Sequence, residues 1–270
     1  MLGTAKALAT SPIFSAVVTG VAMFAYAMPT ATCSVLALLF SSLFLQLDLH
    51  VKLLELVEPR VRWRCTSREA LRRGLIGLTI DDVPLLKAPS HLEEILDVLK
   101  EHQSRATLMV MSGFTTADEA TRSRGEALLA RAVAEGHELG NHHMYDEPAF
   151  ALPAGEMETK FIHCHELLKR LQPRAGPRWH RPASGVWTSQ MLALQEAAGY
   201  EAAVMANLFP HDTAAGLTWL HRWLLTARAR PGAVALVHDR PYTPETLRVA
   251  LPRIRVKGLH CVTLSELFDA

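Results

Sequence analysis

The sequence predicts a parallel α/β fold, either a barrel or a doubly wound sheet, preceded by a membrane-spanning apolar segment. Three observations carry this. From residue 74 onward about seven short apolar runs alternate with helical patterns, the signature of strands joined by crossover helices. Several runs end abruptly in polar residues, the place where parallel α/β folds gather their chemistry. At the other end of the chain, no charged residue falls between Lys6 and Asp48.

Residues 1–12 form an N-terminal tail, and 13–47 is almost continuously apolar, interrupted only by small or uncharged residues such as Gly20, Pro29 and Gln46. Roughly 20 apolar residues cross a bilayer, so 13–47 suits one long tilted span or a hairpin of two short ones hinged at Pro29. A signal peptide cut after Ala25-x-Ala27, or an import segment, are the alternatives. Residues 48–73 read as a juxtamembrane linker, partly helical, whose Lys52, Arg60, Arg62, Arg64, Arg68, Arg72 and Arg73 outnumber its acids. Under the positive-inside rule that flank keeps the following domain cytoplasmic.

Residues 74–270 carry the α/β pattern. Leu75–Ile80 is a buried strand that delivers Asp81 and Asp82 to its exit before Pro84 stops it. Ser90 with Glu93 reads as a capping box for a helix burying Leu92, Ile95, Leu96 and Leu99, and Ala106–Met111 is the next strand. A helix over 118–135 stops at Gly136, and 137–141 is a short strand leading to His142. The helix over 156–172 turns Met157, Phe161, Cys164, Leu168 and Leu171 inward, after which Arg178–Arg181 is extended. Thr188 opens a helix that closes at Gly199, Tyr200–Met205 is a strand, and another helix covers 216–229. Ala233–Val237 is a strand ending at His238. Thr243-Pro244 reads as an N-cap followed by a proline at the first helical position; that helix ends by Gly258, with a bend expected at Pro252, and His260–Leu264 is the last strand.

Composition excludes some classes. A formal net charge of +1 over 270 residues argues against a nucleic-acid binder. Four cysteines without paired spacing give no disulfide framework.

An Asp pair alone also suits a solvated turn. Asp81/Asp82, His142, Arg181 and His238, all at strand exits, point instead to one shared site. Carboxylates gathered at such exits can divide the labour between proton transfer and metal binding.

Here the chain resembles a family. Thr79-Ile-Asp-Asp-Val-Pro84 is similar to the T-F-D-D-G-P motif of the polysaccharide deacetylases (NodB-homology domain), and Gly136-His-Glu-Leu-Gly-Asn-His142 to their G-H-E-I-G-N-H. Ala106-Thr107, Arg181-Pro-Ala-Ser-Gly185 and Leu236-Val-His238 follow in the family's order as counterparts of A-T-F-F, R-P-P-Y-G and L-x-H. The resemblance implies a distorted (β/α) barrel with about seven parallel strands and a divalent metal ion, zinc or a harder ion such as manganese or cobalt. The implied reaction removes N-acetyl groups from a chitin-like oligosaccharide, polysaccharide or glycolipid. It assigns Asp81 as base and Asp82 and His142 as metal ligands; amide hydrolysis then has a cation to activate water, Asp81 to take the proton, Arg181 to orient Asp81, and His238 as acid for the leaving amine.

The departures are specific. Where the family's H-[ST]-x-x-H places a second histidine ligand, this chain has Asp146, the expected third ligand. His143 is the weaker substitute, because adjacent side chains point apart. Val83 replaces a glycine, and Ala183-Ser184 replaces Pro-Tyr; the Ser184 N–H is then the expected oxyanion donor and Trp187 the candidate sugar face. Asp212 is the candidate partner of His238, and His163 and His165 are placed on the surface. A lumenal or extracellular glycan conflicts with the cytoplasmic side expected from charge. Two other readings stand beside hydrolysis of a glycan: an inactive, membrane-anchored glycan-binding or scaffold protein, favoured by Asp146 and Val83, and an amidohydrolase of a non-sugar amide.

Overall fold

A computed structural model describes residues 49–85, 90–213 and 216–270. The predicted tail and the apolar segment 13–47 lie outside these residues; among the described residues no helix is long and apolar enough to cross a membrane. The chain divides after Pro59. Of the first unit, helix α1 (Leu49–Val57) is described; the second unit, Arg60–Ala270, holds everything that follows.

That boundary corrects the linker reading. Residues 60–73 belong to the second unit: β1 (Val61–Arg62) pairs in parallel with β6 (Ala202–Val204), and α2 (Arg68–Arg72) packs beside β2 (Leu75–Val83). A two-residue strand carries no periodicity, which is why the sequence hides it.

With β3 (Thr107–Val110), β4 (Glu138–Asn141), β5 (Trp179–His180) and β7 (Val234–His238), seven strands run parallel in the order β1-β6-β5-β4-β3-β2-β7. β8 (His260–Val262) joins β2 beside this path. The two ends of the order meet through single bridges, Arg64 to Ala233 and Leu208 to Ala235. The result is a distorted (β/α) barrel whose seam between β1 and β7 has bridges in place of a ladder.

Alternation along β2 separates two cores. Ile76, Leu78 and Ile80 are buried outward against α3 (Leu92–Glu101) and α8 (Thr243–Val256), each burial contributing roughly 1.5–3 kcal/mol. Leu75 packs on the other side with Trp179, Val204, Val234, Leu264 and Leu267. The last two sit on α9 (Leu264–Phe268), which lies so close to Gly77 that a Cβ there would meet Leu267 Cδ2 at 2.9 Å. The sequence reads Leu264 as strand; the strand ends at Val262 because Thr263 and Glu266 form a capping box.

Two other caps differ from expectation. Ser90 Oγ donates to Asp239 Oδ2 at 2.6 Å while Glu93 pairs on the surface with Arg124, so no Ser90/Glu93 box forms. Thr243 is the first helical residue rather than the cap, and its hydroxyl donates to the His238 carbonyl at 2.6 Å. Thr188 does cap its helix, α6 (Ser189–Ala197), accepting from the Met191 N–H. α4 (Glu119–Ala134) and α5 (Ala154–Leu171) complete the outer layer after β3 and β4, and α7 (Thr218–Ala227) precedes β7.

Candidate active site

Neighbouring residues on a regular strand face opposite ways. Asp81 and Asp82 nevertheless line one cavity, because the β2–β3 ladder carries an extra residue between Ile80 and Val83 and Asp82 takes a φ of +64°. Such a conformation in a non-glycine residue costs of order 1 kcal/mol and turns the second carboxylate to the side of the first.

Each carboxylate has its own arginine. Arg181, just past β5, donates through Nη1 to Asp81 Oδ1 at 2.5 Å and to Thr79 Oγ1 at 2.7 Å, and through Nε to the Val204 carbonyl at 2.7 Å. It is 1 % exposed, a buried charge held by acceptors from several strands. Asp82 Oδ2 accepts from Arg240 Nη2 at 2.6 Å. Burial alone would raise the Asp82 pKa, but the hydrogen bond and charge of His142, with His238 and Arg240, outweigh it and hold the carboxylate well below its ordinary range.

His142 leaves β4 with Nδ1 2.7 Å from the Arg181 carbonyl. A carbonyl only accepts, so Nδ1 carries the hydrogen and Nε2 faces the acidic pair, 3.5 Å from Asp82 Oδ1 and 3.8 Å from Asp81 Oδ2. Burial opposes a charge on this ring, yet Asp81 and Asp82 together raise its pKa. The spot between Nε2 and the carboxylates therefore favours positive charge.

His238 ends β7. Asp212, 1 % exposed, accepts twice from it: from the backbone N–H at 2.7 Å and from ring Nδ1 at 2.8 Å. Burial again pushes the histidine pKa down, and Asp212, followed by Asp81 and Asp82, more than reverses this. Asp81, Asp82, His142, Arg181 and His238 all line one cavity of 360 Å³, walled by Trp63, Met205, Phe209 and Leu236.

A family model for polysaccharide deacetylases matches residues 68–203. A chitooligosaccharide deacetylase of Bradyrhizobium sp. (strain ANU 289) is 30% identical over 208 residues, covering 71% of this chain and 90% of the relative. The chain belongs to the polysaccharide deacetylase family. It is accordingly a hydrolase of carbon–nitrogen bonds other than peptide bonds, of the carbohydrate deacetylase class.

Two solved structures share the fold. One is a peptidoglycan N-acetylglucosamine deacetylase, Bc1960, with a TM-score of 0.66 at 22% identity, covering 78% of this chain and 94% of that one. The other, with a TM-score of 0.65 at 18% identity over 78% of this chain and 69% of that one, is BA3943 of Bacillus anthracis, a CE4 family pseudoenzyme.

The polysaccharide deacetylase signature residues are thus brought together, and the chain-specific ones divide. Asp146 lines the same cavity but is exposed at its rim, and among the described residues no group of three His, Cys, Asp or Glu side chains surrounds one point. Ser184 lines the rim with a φ of +65°. Trp187 stands outside the cavity lining, edge-on to Trp63 with ring centroids 6.0 Å apart; Trp63, from the stretch read as a linker, lines the site together with Phe209. His143 turns away, its Nε2 2.9 Å from His180 Nε2, and burial holds its pKa well below the ordinary value. His163 and His165 are half-buried rather than on the surface, bonded to Ser112 and Tyr200. Arg240 and Trp63 were not legible as site residues, since neither falls in a recognisable motif.

The donor chemistry fits a divalent cation. An N···O separation of 3.5 Å between His142 and Asp82 is close to the edge, about 3.4 Å, of a tetrahedron with metal–ligand bonds of about 2.1 Å. The His142 tautomer fixed by Arg181 leaves the ring nitrogen lone pair on that edge.

Proposed function

We propose that this chain hydrolyses the N-acetyl group of a chitin-like carbohydrate, with Asp81 as base and His238 as acid. The observation that carries the reading is the convergence of two supported pairs, Asp81–Arg181 and His238–Asp212, on the cavity that holds Asp82 and His142.

Asp82 and His142 would hold a divalent metal ion, with Asp146 joining from the rim. When bound, that ion supplies Lewis-acid polarisation of the acetyl carbonyl and a more acidic water. Asp81 Oδ2 accepts a proton from the attacking water while Oδ1 stays with Arg181, which fixes the direction of the free oxygen. The Ser184 N–H, on the cavity lining, would donate to the developing oxyanion. Asp212 holds Nδ1–H of His238, so Nε2 delivers a proton to the departing amine; the products are acetate and the free amino sugar. Trp63, braced by Trp187, offers a sugar ring an apolar face. We place the domain at a membrane through residues 13–47.

The rim position of Asp146 favours a second reading, a glycan-binding protein without turnover. Acetate release from chitin oligomers by the purified full chain, with metal analysis of the same sample, separates the two. Release that depends on added cation and vanishes in Asp81→Asn supports hydrolysis; a folded protein that binds oligomers and releases nothing supports the second reading. Protease protection on intact membranes tests the anchoring and the side on which the domain lies.

A further inference from the structure

We infer that Arg240 lowers the affinity of the site for its divalent cation by holding a second positive charge on the other oxygen of Asp82. The inference rests on the reading of Asp82 and His142 as cation ligands.

The two arginines that serve the acidic pair are built differently. Arg181 is locked: its guanidinium reaches Asp81, Thr79 and the carbonyl of Val204, and it is 1 % exposed. Arg240, two residues beyond His238, lies on the cavity wall with its side chain 20% exposed. Among the described residues, its other hydrogen bond runs from Nη1 to the Asp239 carbonyl at 3.0 Å.

Asp82 divides its oxygens. Oδ2 takes the guanidinium at 2.6 Å, and Oδ1 faces His142 Nε2 at 3.5 Å. A cation at Oδ1 and a guanidinium at Oδ2 are separated by one carboxylate, and in a buried, poorly screened site their repulsion opposes binding. Without the cation, Arg240 relieves the repulsion between Asp81 and Asp82 that Arg181 leaves over. The same residue therefore steadies the empty site and weakens the filled one. An ordinary outer-shell hydrogen bond to a ligand has the opposite effect, because its loss weakens metal binding.

The test is calorimetric titration of the metal-stripped full chain with zinc and with manganese, for the native protein, Arg240→Gln, Arg240→Lys and Asp82→Asn. Thermal melts establish that each variant is folded. Arg240→Gln is expected to bind at least about tenfold tighter, and Arg240→Lys, which keeps the charge, within about threefold of the native protein. Unchanged or weaker binding in Arg240→Gln, with Asp82→Asn still abolishing it, overturns the role of Arg240 and leaves the ligand reading intact. Tightening in both arginine variants overturns the charge argument. Binding unaffected by Asp82→Asn, or no binding by the native protein, overturns both readings.

Discussion

At the floor of the cavity Asp81, Asp82, His142 and Arg181 are all buried, each held by a residue distant in the chain; at its rim Asp146 and Ser184 are exposed. The floor residues stand at the ends of strands whose neighbours dictate where they point. The rim residues stand in turns, where their own side chains are left exposed. Preorganised groups act without reorganisation cost, and groups that must move to engage contribute less. Floor substitutions should therefore change the chemistry, and rim substitutions should change affinity.

The largest expected effect is that of Asp81→Asn. Loss of the base lowers acetate release about a thousandfold, and the unpaired Arg181 charge costs about 3 kcal/mol in urea denaturation. A variant of native stability would show that Arg181 finds its compensation elsewhere. Chelation of the cation comes next, with activity falling at least about a hundredfold and returning on addition of zinc or manganese.

Asp212→Asn is expected to lower kcat about tenfold to a hundredfold. Its pH profile is more telling. Burial drives the His238 pKa down and Asp212 more than reverses this, so the acid stays protonated beyond its ordinary range. An acid fails above its pKa, so the alkaline limb of kcat should move to lower pH in the variant. Because the folded pKa is raised, the stability it contributes is full below the unfolded pKa of His and is lost as pH rises through the folded value. The stability gap between native protein and variant should accordingly close on the alkaline side.

At the rim, Asp146→Ala should weaken cation binding about tenfold by calorimetry, less than His142→Ala does. If the two are equal, Asp146 belongs with the floor. Smallest is Trp187→Ala, which removes a brace and not a contact; a rise in KM of about threefold is expected, below that of Trp63→Ala.

The same division explains what the sequence reveals. The exit of β2 is legible because an apolar run, two carboxylates and a proline are contiguous in the chain. Asp212, three residues after Phe209, also occupies the position expected of it beside His238. Ser90 misleads because its partner Asp239 lies 149 residues away and outcompetes a local cap. Trp63 is hidden by a two-residue strand whose place is set by pairing with β6, and Arg240 by a bond to Asp82 across 158 residues. Trp187 draws attention as the aromatic beside a motif, yet chain proximity does not decide which ring faces the site. Local signals give elements and their ends; contacts between distant segments decide which side chains meet.

The seam of the barrel has a consequence of its own. Around most of the ring, tearing one strand from the next breaks a ladder; between β7 and the segments after β1 and β6 it breaks the bridges at Arg64 and Leu208 and the bonds from His238 to Asp212. Structures breathe first where their opening free energy is lowest, and amide exchange along this line should outpace that of β2 and β3. Trp63, Met205 and Phe209 line the cavity beside that seam. The wall that yields most easily then carries apolar side chains together with His238, while Asp81, Asp82, His142 and Arg181, set on β2, β4 and the end of β5, keep their places as it widens toward a bulky guest.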